Sequence, residues 1–323
     1  TLRQQFGTMK WVITMKYIYQ VKNNIPQPRK NILKNFWVHL NNPSEEEMKS
    51  VCASLDIEAK VLRKALDRSE TPHMEIEPNY VLFIIKIPYV ILNKEKKKYR
   101  ALPMAIFVFN NGILTVTTSH HPIITDLKKG RIHGLRFLHR RSFPIFLINK
   151  TIEYYIRYLN EIQEDILSKE KTLIKSTSNK DLEHMLTLQK SLLYFTTALQ
   201  GNRSVLEKIE NNCNLLSEEQ DLLVDVQIEI KQAIEMANTY REILENTMDT
   251  YSSIISNNLN DIMKFLTSIT LVISIPTMIS SFLGMNLSLG SFGTNPFSFV
   301  LIVSLSFFIA IVLVILLKKK NLL

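Results

Sequence analysis

A long row of hydroxyl, amide and carboxyl side chains recurs every three or four residues toward the end of this chain. This spacing places the side chains on one face of an α-helix. The oxygen atoms of such a face can accept hydrogen bonds from water or from the hydration shell of a cation. One helix cannot enclose a conduit, so this function requires several copies of the chain around an axis. This polar seam, in which only Ile228 and Met263 are apolar, comprises Asp225, Ile228, Gln232, Glu235, Thr239, Glu242, Asn246, Asp249, Ser253, Ser256, Asn260, Met263, Thr267, Thr270, Ser274, Thr277 and Ser281.

Simpler explanations of the polar seam exist for each of its halves. In water, a polar helix face can be an ordinary solvated surface. In a membrane, Ser and Thr can donate hydrogen bonds to carbonyls of their own helix, or they can serve as small packing residues. The seam, however, continues without a phase break from a charged stretch into an apolar one, and this continuity favours a conduit.

The charge of the seam region favours a cation as the transported species. Residues 217–262 contain ten acidic and two basic residues, a net charge of −8, whereas the whole chain carries +9. Carboxylates repeated around a symmetry axis would concentrate a negative potential along the conduit. An acidic coiled-coil surface is the alternative explanation.

Two apolar segments at the end of the chain predict membrane helices. Residues 265–283 and 297–317 comprise 19 and 21 residues without a formal charge, enough to cross a bilayer. Lys264 precedes the first segment and Lys318 to Lys320 follow the second, while residues 284–296 between them are uncharged. The positive-inside rule therefore predicts a cell-membrane protein with two spans and both termini in the cytoplasm. Lysines beside a membrane also explain the positive net charge, so no nucleic-acid partner is expected.

The first part of the chain, residues 1–140, predicts a cytoplasmic α/β domain. Strand-like runs cover residues 34–40, 80–92, 104–110 and 113–118. Asn111-Gly112 separates the last two runs and predicts a hairpin with a type I′ turn. Ser44-Glu45-Glu46-Glu47 has the spacing of a capping box at the start of a helix, and Pro122 opens another helix.

Long helices dominate the remainder. Apolar residues at helical spacing predict antiparallel cytoplasmic helices over residues 141–216. Ser217-Glu218-Glu219-Gln220 predicts a second capping box, which opens a helix over residues 217–283 that would be roughly 100 Å long. Such a helix exceeds a bilayer, so it is predicted to form a stalk that continues into the first membrane span. Residues 284–296 would form the outer loop, and residues 297–323 the second span and a basic tail.

The sequence contains none of the familiar motifs of ATPases, zinc proteases or serine hydrolases, so no enzymatic activity is expected. Without a nucleotide site, transport would be passive. The histidine clusters, His120-His121 and His133 with His139, have no cysteine nearby, and structural roles are favoured over a zinc site.

Three stretches resemble the core segment of the CorA family of magnesium transport proteins. They are residues 258–267, which read NLNDIMKFLT, then Pro276-Thr277, and Gly284-Met285-Asn286 after the first apolar segment. A looser similarity extends over nearly the whole chain. The resemblance implies a homopentameric funnel in which the first membrane helix lines the pore and the second faces lipid. It also implies passive, membrane-potential-driven transport of Mg²⁺ and Co²⁺, with membrane lipid and divalent cations as partners.

The resemblance also implies roles for individual residues. The family signature assigns the selectivity filter to Gly284, Met285 and Asn286, where a ring of Asn286 amides would meet the hydrated ion. Mg²⁺ releases its water reluctantly, and amide oxygens can bind the hydrated form. In the family, a carboxylate at the position of Asp225 binds regulatory cytoplasmic Mg²⁺ between subunits. The metal ligands implied are therefore Asn286 and Asp225.

The pore-lining residues follow from the polar seam and the resemblance together. The resemblance implies polar rings at Asn260 and Thr277 and a narrow apolar constriction at Met263 with Leu266 or Thr267. An apolar constriction can gate by excluding water. The complete set is Asn260, Met263, Leu266, Thr267, Thr270, Ser274, Thr277 and Ser281.

The chain departs from the family pattern at two places. Residues 287–299 carry no acidic side chain, and the second regulatory carboxylate should fall near residues 91–95, where Asn93-Lys94-Glu95 stands. Two alternatives remain. A Zn²⁺ or other divalent-cation transporter on the same fold is disfavoured by Met285, since such relatives tend to change that residue. A non-conducting, membrane-anchored coiled-coil scaffold has no reason to keep Ser and Thr aligned through a bilayer.

Overall fold

The computed structural model describes residues 15–22, 25–93, 96–132, 135, 139–173, 179–213, 215–285 and 296–320. The chain divides into two compact units, Thr1–Asn246 and Thr247–Leu323. The strands in the described part are β1 (Met15–Lys22), β2 (Ile25–Pro28), β3 (Phe36–Asn41), β4 (His73–Ile76), β5 (Tyr80–Asn93), β6 (Lys96–Phe109) and β7 (Gly112–Thr117). The helices are α1 (Glu45–Leu55), α2 (Ala59–Lys64), α3 (Pro122–Lys128), α4 (Phe143–Leu173), α5 (Asn179–Asn212), α6 (Ser217–Leu283) and α7 (Pro296–Lys319).

The strands form one seven-stranded sheet in the order β2-β1-β3-β7-β6-β5-β4. β3 and β7 pair in parallel, and all other neighbours are antiparallel. The four strands predicted from the sequence are present as β3, β5, β6 and β7, but the run at 104–110 is only the second half of β6. β1, β2 and β4 were not predicted. The first unit is therefore a mixed α/β structure, as the sequence indicated.

Helices α1 and α2 close one side of the sheet. Their residues Met48, Val51 and Leu62 belong to the same buried cluster as Leu82 and Leu114 of the strands. The capping box at the start of α1 is confirmed by two reciprocal bonds. The Glu47 N–H donates to Ser44 Oγ at 3.2 Å, and the Ser44 N–H donates to Glu47 Oε2 at 2.9 Å. Such a cap stabilises a helix by about 1 kcal/mol.

The hairpin between β6 and β7 is present, but the predicted type I′ turn is wrong. Phe109 pairs with Gly112, so Asn110 and Asn111 form the turn. Neither asparagine has the positive φ that a type I′ turn requires. Gly112 is a strand residue, and a Cβ atom there would lie 2.4 Å from the buried ring of Phe36. Glycine is needed here for close packing and not for turn conformation.

Helices α4 and α5 form an antiparallel pair, as predicted. Asp165 Oδ2 lies 2.6 Å from His184 Nε2, and Lys169 Nζ lies 3.0 Å from Asp181 Oδ1. From Asp165 to Lys169 the residue number rises along α4, whereas the number of the bonded partner falls from His184 to Asp181 along α5. The two helices therefore run in opposite directions. The first part of α6 joins this pair, since the Tyr240 hydroxyl on α6 donates to Gln163 Oε1 at 2.9 Å.

Helix α6 covers 67 residues, but its predicted capping box is displaced by one position. Ser217 is the first helical residue, and the Leu216 N–H donates to Glu219 Oε2 at 2.9 Å. The box predicted from Ser217 and Gln220 is therefore wrong. Glu219 is buried, and its carboxylate fixes the start of the helix from within the first turn.

The second unit contains the end of α6 and the whole of α7. Both helices contain segments long and apolar enough to cross a membrane. Only 6% of the most apolar stretch of α6 is buried, and only 11% of that of α7. A soluble core helix would bury most of such a window, so the exposure favours two membrane spans.

Candidate functional site

The polar seam lies on an uncovered face of α6 in the second unit. All eight predicted pore-lining residues are exposed in the single chain: Asn260, Met263, Leu266, Thr267, Thr270, Ser274, Thr277 and Ser281. From Thr270 to Ser281 they border an open groove of about 510 Å³, which also includes Ile273, Met278 and Phe282. Among the residues that the structure describes, none covers these hydroxyl side chains, which are exposed.

The opposite face of the same helix is partly covered. Ser268 is 3% exposed, and Val272, Ile275 and Ile279 are half-buried. At 100° per residue these four positions lie about 180° from the seam. Helix α7 has a matching set of less exposed residues at helical spacing: Ile302, Ser306, Leu313 and Leu317. Each of the two helices therefore has one less exposed face, and on α6 this face is not the hydroxyl face.

Three hydroxyl groups of the seam in the second unit bond to their own helix. Thr270 Oγ1 donates to the Leu266 carbonyl at 2.8 Å, and Ser274 Oγ donates to the Thr270 carbonyl at 2.7 Å. Thr277 Oγ1 donates to the Ile273 carbonyl at 2.9 Å. These are the back-bonds that the simpler explanation required. They also have a chemical consequence, because each hydroxyl proton is used internally and the oxygen lone pairs remain available. The face therefore presents acceptors, which suit the water shell of a cation and do not suit an anion.

Among the eight predicted pore-lining residues, Met263 and Leu266 differ from the others because they are large and apolar. Their side chains are 59% and 57% exposed, and Asn260 and Thr267 on the same face are also exposed. Since they have little apolar cover within their own chain, these side chains have area to bury against neighbouring copies. The constriction they would form stays a prediction.

Gly284 and Met285 continue directly from the end of α6. The Gly284 N–H donates to the Ser280 carbonyl at 3.0 Å, and the Met285 N–H donates to the Phe282 carbonyl at 3.4 Å. The signature thus begins at a helix C-terminus, where unpaired carbonyls and the helix dipole create a partial negative charge. This charge favours cations. Asn286 lies outside the described residues, so its role stays a prediction.

Asp225 lies on the exposed face of α6 in the first unit, close to other carboxylates. Burial raises the pKa of Glu229, one turn further along α6, and the charges of Glu153 and Asp225 raise it further. Carboxylate oxygens are hard ligands of the kind that Mg²⁺ prefers. Glu153 belongs to α4 and was not foreseen, because nothing in the sequence links it to Asp225.

A complete metal site is not found within the described part of one chain, where no group of three or more His, Cys, Asp or Glu side chains could hold an ion. The predicted regulatory ion at Asp225 would therefore need further ligands from water or from a neighbouring copy, and this role of Asp225 stays a prediction. Lys94 and Glu95, in the segment proposed to supply the second carboxylate, lie outside the described residues.

His121 has a structural position. His121 is the N-cap of α3, where its Nδ1 accepts a hydrogen bond from the Ile123 N–H at 3.1 Å. Its Nε2 lies 2.7 Å from the Pro88 carbonyl, and burial lowers the pKa of the ring to about 4. Both ring nitrogens are thus occupied by the protein. His133, named in the same context, lies outside the described residues.

Comparisons with known proteins give one consistent result. The model of the CorA-like Mg²⁺ transporter protein family matches residues 34–319. The cobalt/magnesium transport protein CorA of Methanocaldococcus jannaschii is 27% identical over 296 residues, covering 88% of this chain and 90% of the relative. The cobalt/magnesium transport protein CorA of Thermotoga maritima is 22% identical over 267 residues, covering 81% of this chain and 75% of the relative.

A solved structure agrees over almost the full length. The complete structure of the CorA magnesium transporter from Methanocaldococcus jannaschii superimposes with a TM-score of 0.81 at 25% identity. The match covers 96% of this chain and 99% of that structure. The shared architecture thus includes the sheet, the long helix and both candidate membrane helices.

Proposed function

The chain belongs to the CorA-like Mg²⁺ transporter family, and on this premise we propose that it is a passive channel for Mg²⁺ and Co²⁺ in the cell membrane. The observation that carries the proposal is the exposed hydroxyl face of α6 opposite the face that is partly covered. In a homopentamer, five such faces surround an axis and enclose a water-filled conduit. The α7 helices then form the outer ring in contact with lipid.

The membrane potential supplies the driving force. A divalent cation gains about 4.6 kcal/mol for each 100 mV of inside-negative potential, twice the value of about 2.3 kcal/mol for a single charge. Inward transport therefore needs no hydrolysis, which agrees with a chain that carries no nucleotide-hydrolysis motif. With both termini in the cytoplasm, the Gly284-Met285-Asn286 signature faces the outside, where the ion enters.

The cation is selected at the Gly284-Met285-Asn286 signature and then passes along the hydroxyl face of α6. The Asn286 amide oxygens accept hydrogen bonds from the hydrated ion at the negative end of the α6 dipole. Because the hydroxyl protons of Thr270, Ser274 and Thr277 are used by the helix, their oxygens accept hydrogen bonds from the ion's water. Further along, Met263 and Leu266 form an apolar ring that closes the conduit when it excludes water.

Cytoplasmic Mg²⁺ regulates the channel through Asp225. A cation bound between Asp225 and an adjacent subunit neutralises part of the acidic surface that raises the pKa of Glu229. The stalks formed by residues 217–283 then stay together. Residues 1–140 and 141–216 form the cytoplasmic part that positions these stalks, and residues 284–296 and 297–323 complete the outer loop and second span.

The decisive experiment measures ion flux into liposomes that contain the purified full-length protein, with internal and external Mg²⁺ varied separately. We expect Mg²⁺ uptake that increases with inside-negative potential and decreases as internal Mg²⁺ rises. A scaffold would give no flux under any condition. A transporter that carries Zn²⁺ but not Mg²⁺ in this assay would replace the proposed cargo on the same fold.

A further inference from the structure

A pocket far in sequence from the polar seam lies in the first unit, where four segments meet. It encloses about 540 Å³ between β1, the connection from β2 to β3, α1 and the turn after β6. The turn holds the connection in place, because the Asn111 carbonyl accepts hydrogen bonds from the N–H groups of Asn35 and Phe36 at 2.8 and 3.3 Å. The pocket is thus formed by the fold itself.

The charge of this pocket is entirely positive. Lys16, Lys30 and Lys34 line it, and no acidic residue does. None of the three lysines has an ion-pair partner among the residues that the structure describes, whereas Lys64 and Lys97 in the same unit are paired with Glu75 and Glu161. Three unpaired ammonium groups around one cavity generate a positive potential that a single surface lysine does not.

Neutral hydrogen-bond donors complete the polar side of the pocket. Lys16 Nζ donates to Ser50 Oγ at 3.3 Å, which leaves the Ser50 hydroxyl proton free to donate to a ligand. The side-chain amides of Asn31 and Asn111 also line the pocket. Ammonium, hydroxyl and amide donors are the groups that bind phosphate oxygens.

Apolar residues also contribute to the lining of the pocket. They are Phe36, which is 2% exposed, and the partly buried Ile18, Ile32 and Leu55, which pack against the same hydrophobic core. Leu33 forms an exposed apolar rim. A volume of this size accommodates a small organic molecule. A bare inorganic ion has no apolar surface that could contact the apolar side chains.

We propose that this pocket binds a nucleotide-sized organic polyphosphate, of which a nucleoside triphosphate is the type. The three lysines contact the phosphates, and the base packs against Ile18, Ile32 and Leu55. This assignment goes beyond ion transport and does not depend on it, since the pocket shares no residue with the polar seam. The proposal predicts different affinities for three ligands. Adenosine lacks the negative charge and inorganic phosphate lacks an apolar part, whereas ATP has both.

The test is isothermal titration calorimetry of the full-length protein in lipid-free detergent micelles, with a chelator present so that ATP keeps its full charge. We expect ATP to bind with one site per chain, and adenosine and inorganic phosphate each to bind at least about tenfold more weakly. The double variant Lys30→Glu/Lys34→Glu should weaken ATP binding by about tenfold or more, because two attractions become repulsions. The matched control Lys60→Glu reverses an exposed lysine of α2 outside the pocket and should leave the ATP affinity unchanged.

Thermal melting of both variants confirms that each is folded, since the replaced side chains are exposed. The proposal is overturned if the wild-type protein does not bind ATP, because the lysines are then only a solvated surface. It is also overturned if the double variant binds as tightly as the wild type. Competition by soluble short-chain phosphatidic acid at the affinity of ATP would assign the pocket to a lipid head group instead.

Discussion

Thr277 Oγ1 donates a hydrogen bond to the carbonyl oxygen of Ile273, one turn earlier on α6, at 2.9 Å. The same bond occurs at Thr270 and Ser274, so these three hydroxyl groups of the polar seam donate their protons to the helix and keep oxygen lone pairs for other donors. A membrane helix and a cation conduit require the same arrangement. The back-bonds and the conduit are therefore compatible explanations.

The lone pairs of Thr277 can be tested by an isosteric replacement. We expect Thr277→Val to reduce Mg²⁺ flux about fivefold or more, because each subunit loses an acceptor worth about 1 kcal/mol to the hydrated ion. Thr277→Ser should retain most of the flux. The control Ser304→Ala removes an exposed hydroxyl from α7 and should have no effect. Equal flux in Thr277→Val and wild-type protein would remove this residue from the pathway.

If the hydroxyl face of α6 lines the conduit, water reaches the residues on this face and not those on the opposite face. In an otherwise cysteine-free protein, Thr270→Cys and Thr277→Cys should react with a hydrophilic thiol reagent much faster than Val272→Cys and Ile275→Cys. The first pair lies on the exposed hydroxyl face and the second on the half-buried face opposite. Reaction rates are measured by mass spectrometry on assembled protein. Faster modification at Val272 and Ile275 would place the conduit on the other side of the helix.

Asn286 carries the predicted filter. We expect Asn286→Ala to abolish Mg²⁺ flux or its selectivity while the oligomer stays assembled, because the ring of amide oxygens is lost and the helices are unchanged. Flux assays combined with size-exclusion chromatography separate the two effects. Asn295→Ala, which removes an amide from the same connection outside the signature, should behave as wild type. Normal uptake and selectivity in Asn286→Ala would refute the filter assignment.

The long elements of this fold were readable from the sequence because their signals are local. Helix α6 covers the residues indicated by its uninterrupted helical spacing, and the capping box at Ser44 is present because its two hydrogen bonds span only three residues. The second cap was misplaced because the choice between Ser217 and Leu216 depends on the burial of Glu219, which only the packed structure decides.

Features that depend on contacts between residues distant in sequence could not be predicted from the sequence. The Asn111-Gly112 pair predicted a type I′ turn, whereas Gly112 is required because Phe36, some 76 positions earlier, occupies the space of its missing Cβ. Strand β4 is short and was found only through its pairing with β5. Glu153 near Glu229 and the lysines of the α/β pocket likewise come together only after folding.

The contact between Gly112 and Phe36 predicts a stability defect. Gly112→Ala should lower the free energy of unfolding by about 1–3 kcal/mol, because a Cβ atom 2.4 Å from a buried ring forces a shift in the core. Phe36→Leu in the same background should recover part of the loss, as measured by thermal melting. Gly130→Ala has open space but a φ of 61°, so it should be destabilised by about 1 kcal/mol and Phe36→Leu should not rescue it. An unchanged melting temperature in Gly112→Ala would show that the core adapts without cost.

The last prediction concerns gating by Asp225. Without a bound cation, the carboxylates of Asp225, Glu229 and Glu153 repel one another, which is why the pKa of Glu229 is raised by its neighbours as well as by burial. Repeated in every subunit of the proposed pentamer, this repulsion would loosen the bundle of α6 helices. On the proposed mechanism, a bridging Mg²⁺ would remove this repulsion and hold the apolar ring of Met263 and Leu266 closed.

Asp225→Lys replaces the proposed ligand by a fixed positive charge that cannot bind Mg²⁺. We expect this variant to retain flux at internal Mg²⁺ concentrations that silence the wild-type channel, with the concentration for half-inhibition raised about tenfold or more, equivalent to about 1.4 kcal/mol of lost binding. The control Glu183→Lys makes the same charge reversal at an exposed residue of α5 and should be inhibited normally. Both are measured in liposomes in which internal Mg²⁺ is set before external Mg²⁺ is added. If Asp225→Lys is inhibited at the same internal Mg²⁺ as the control, Asp225 is a solvated carboxylate and the regulatory ion binds elsewhere.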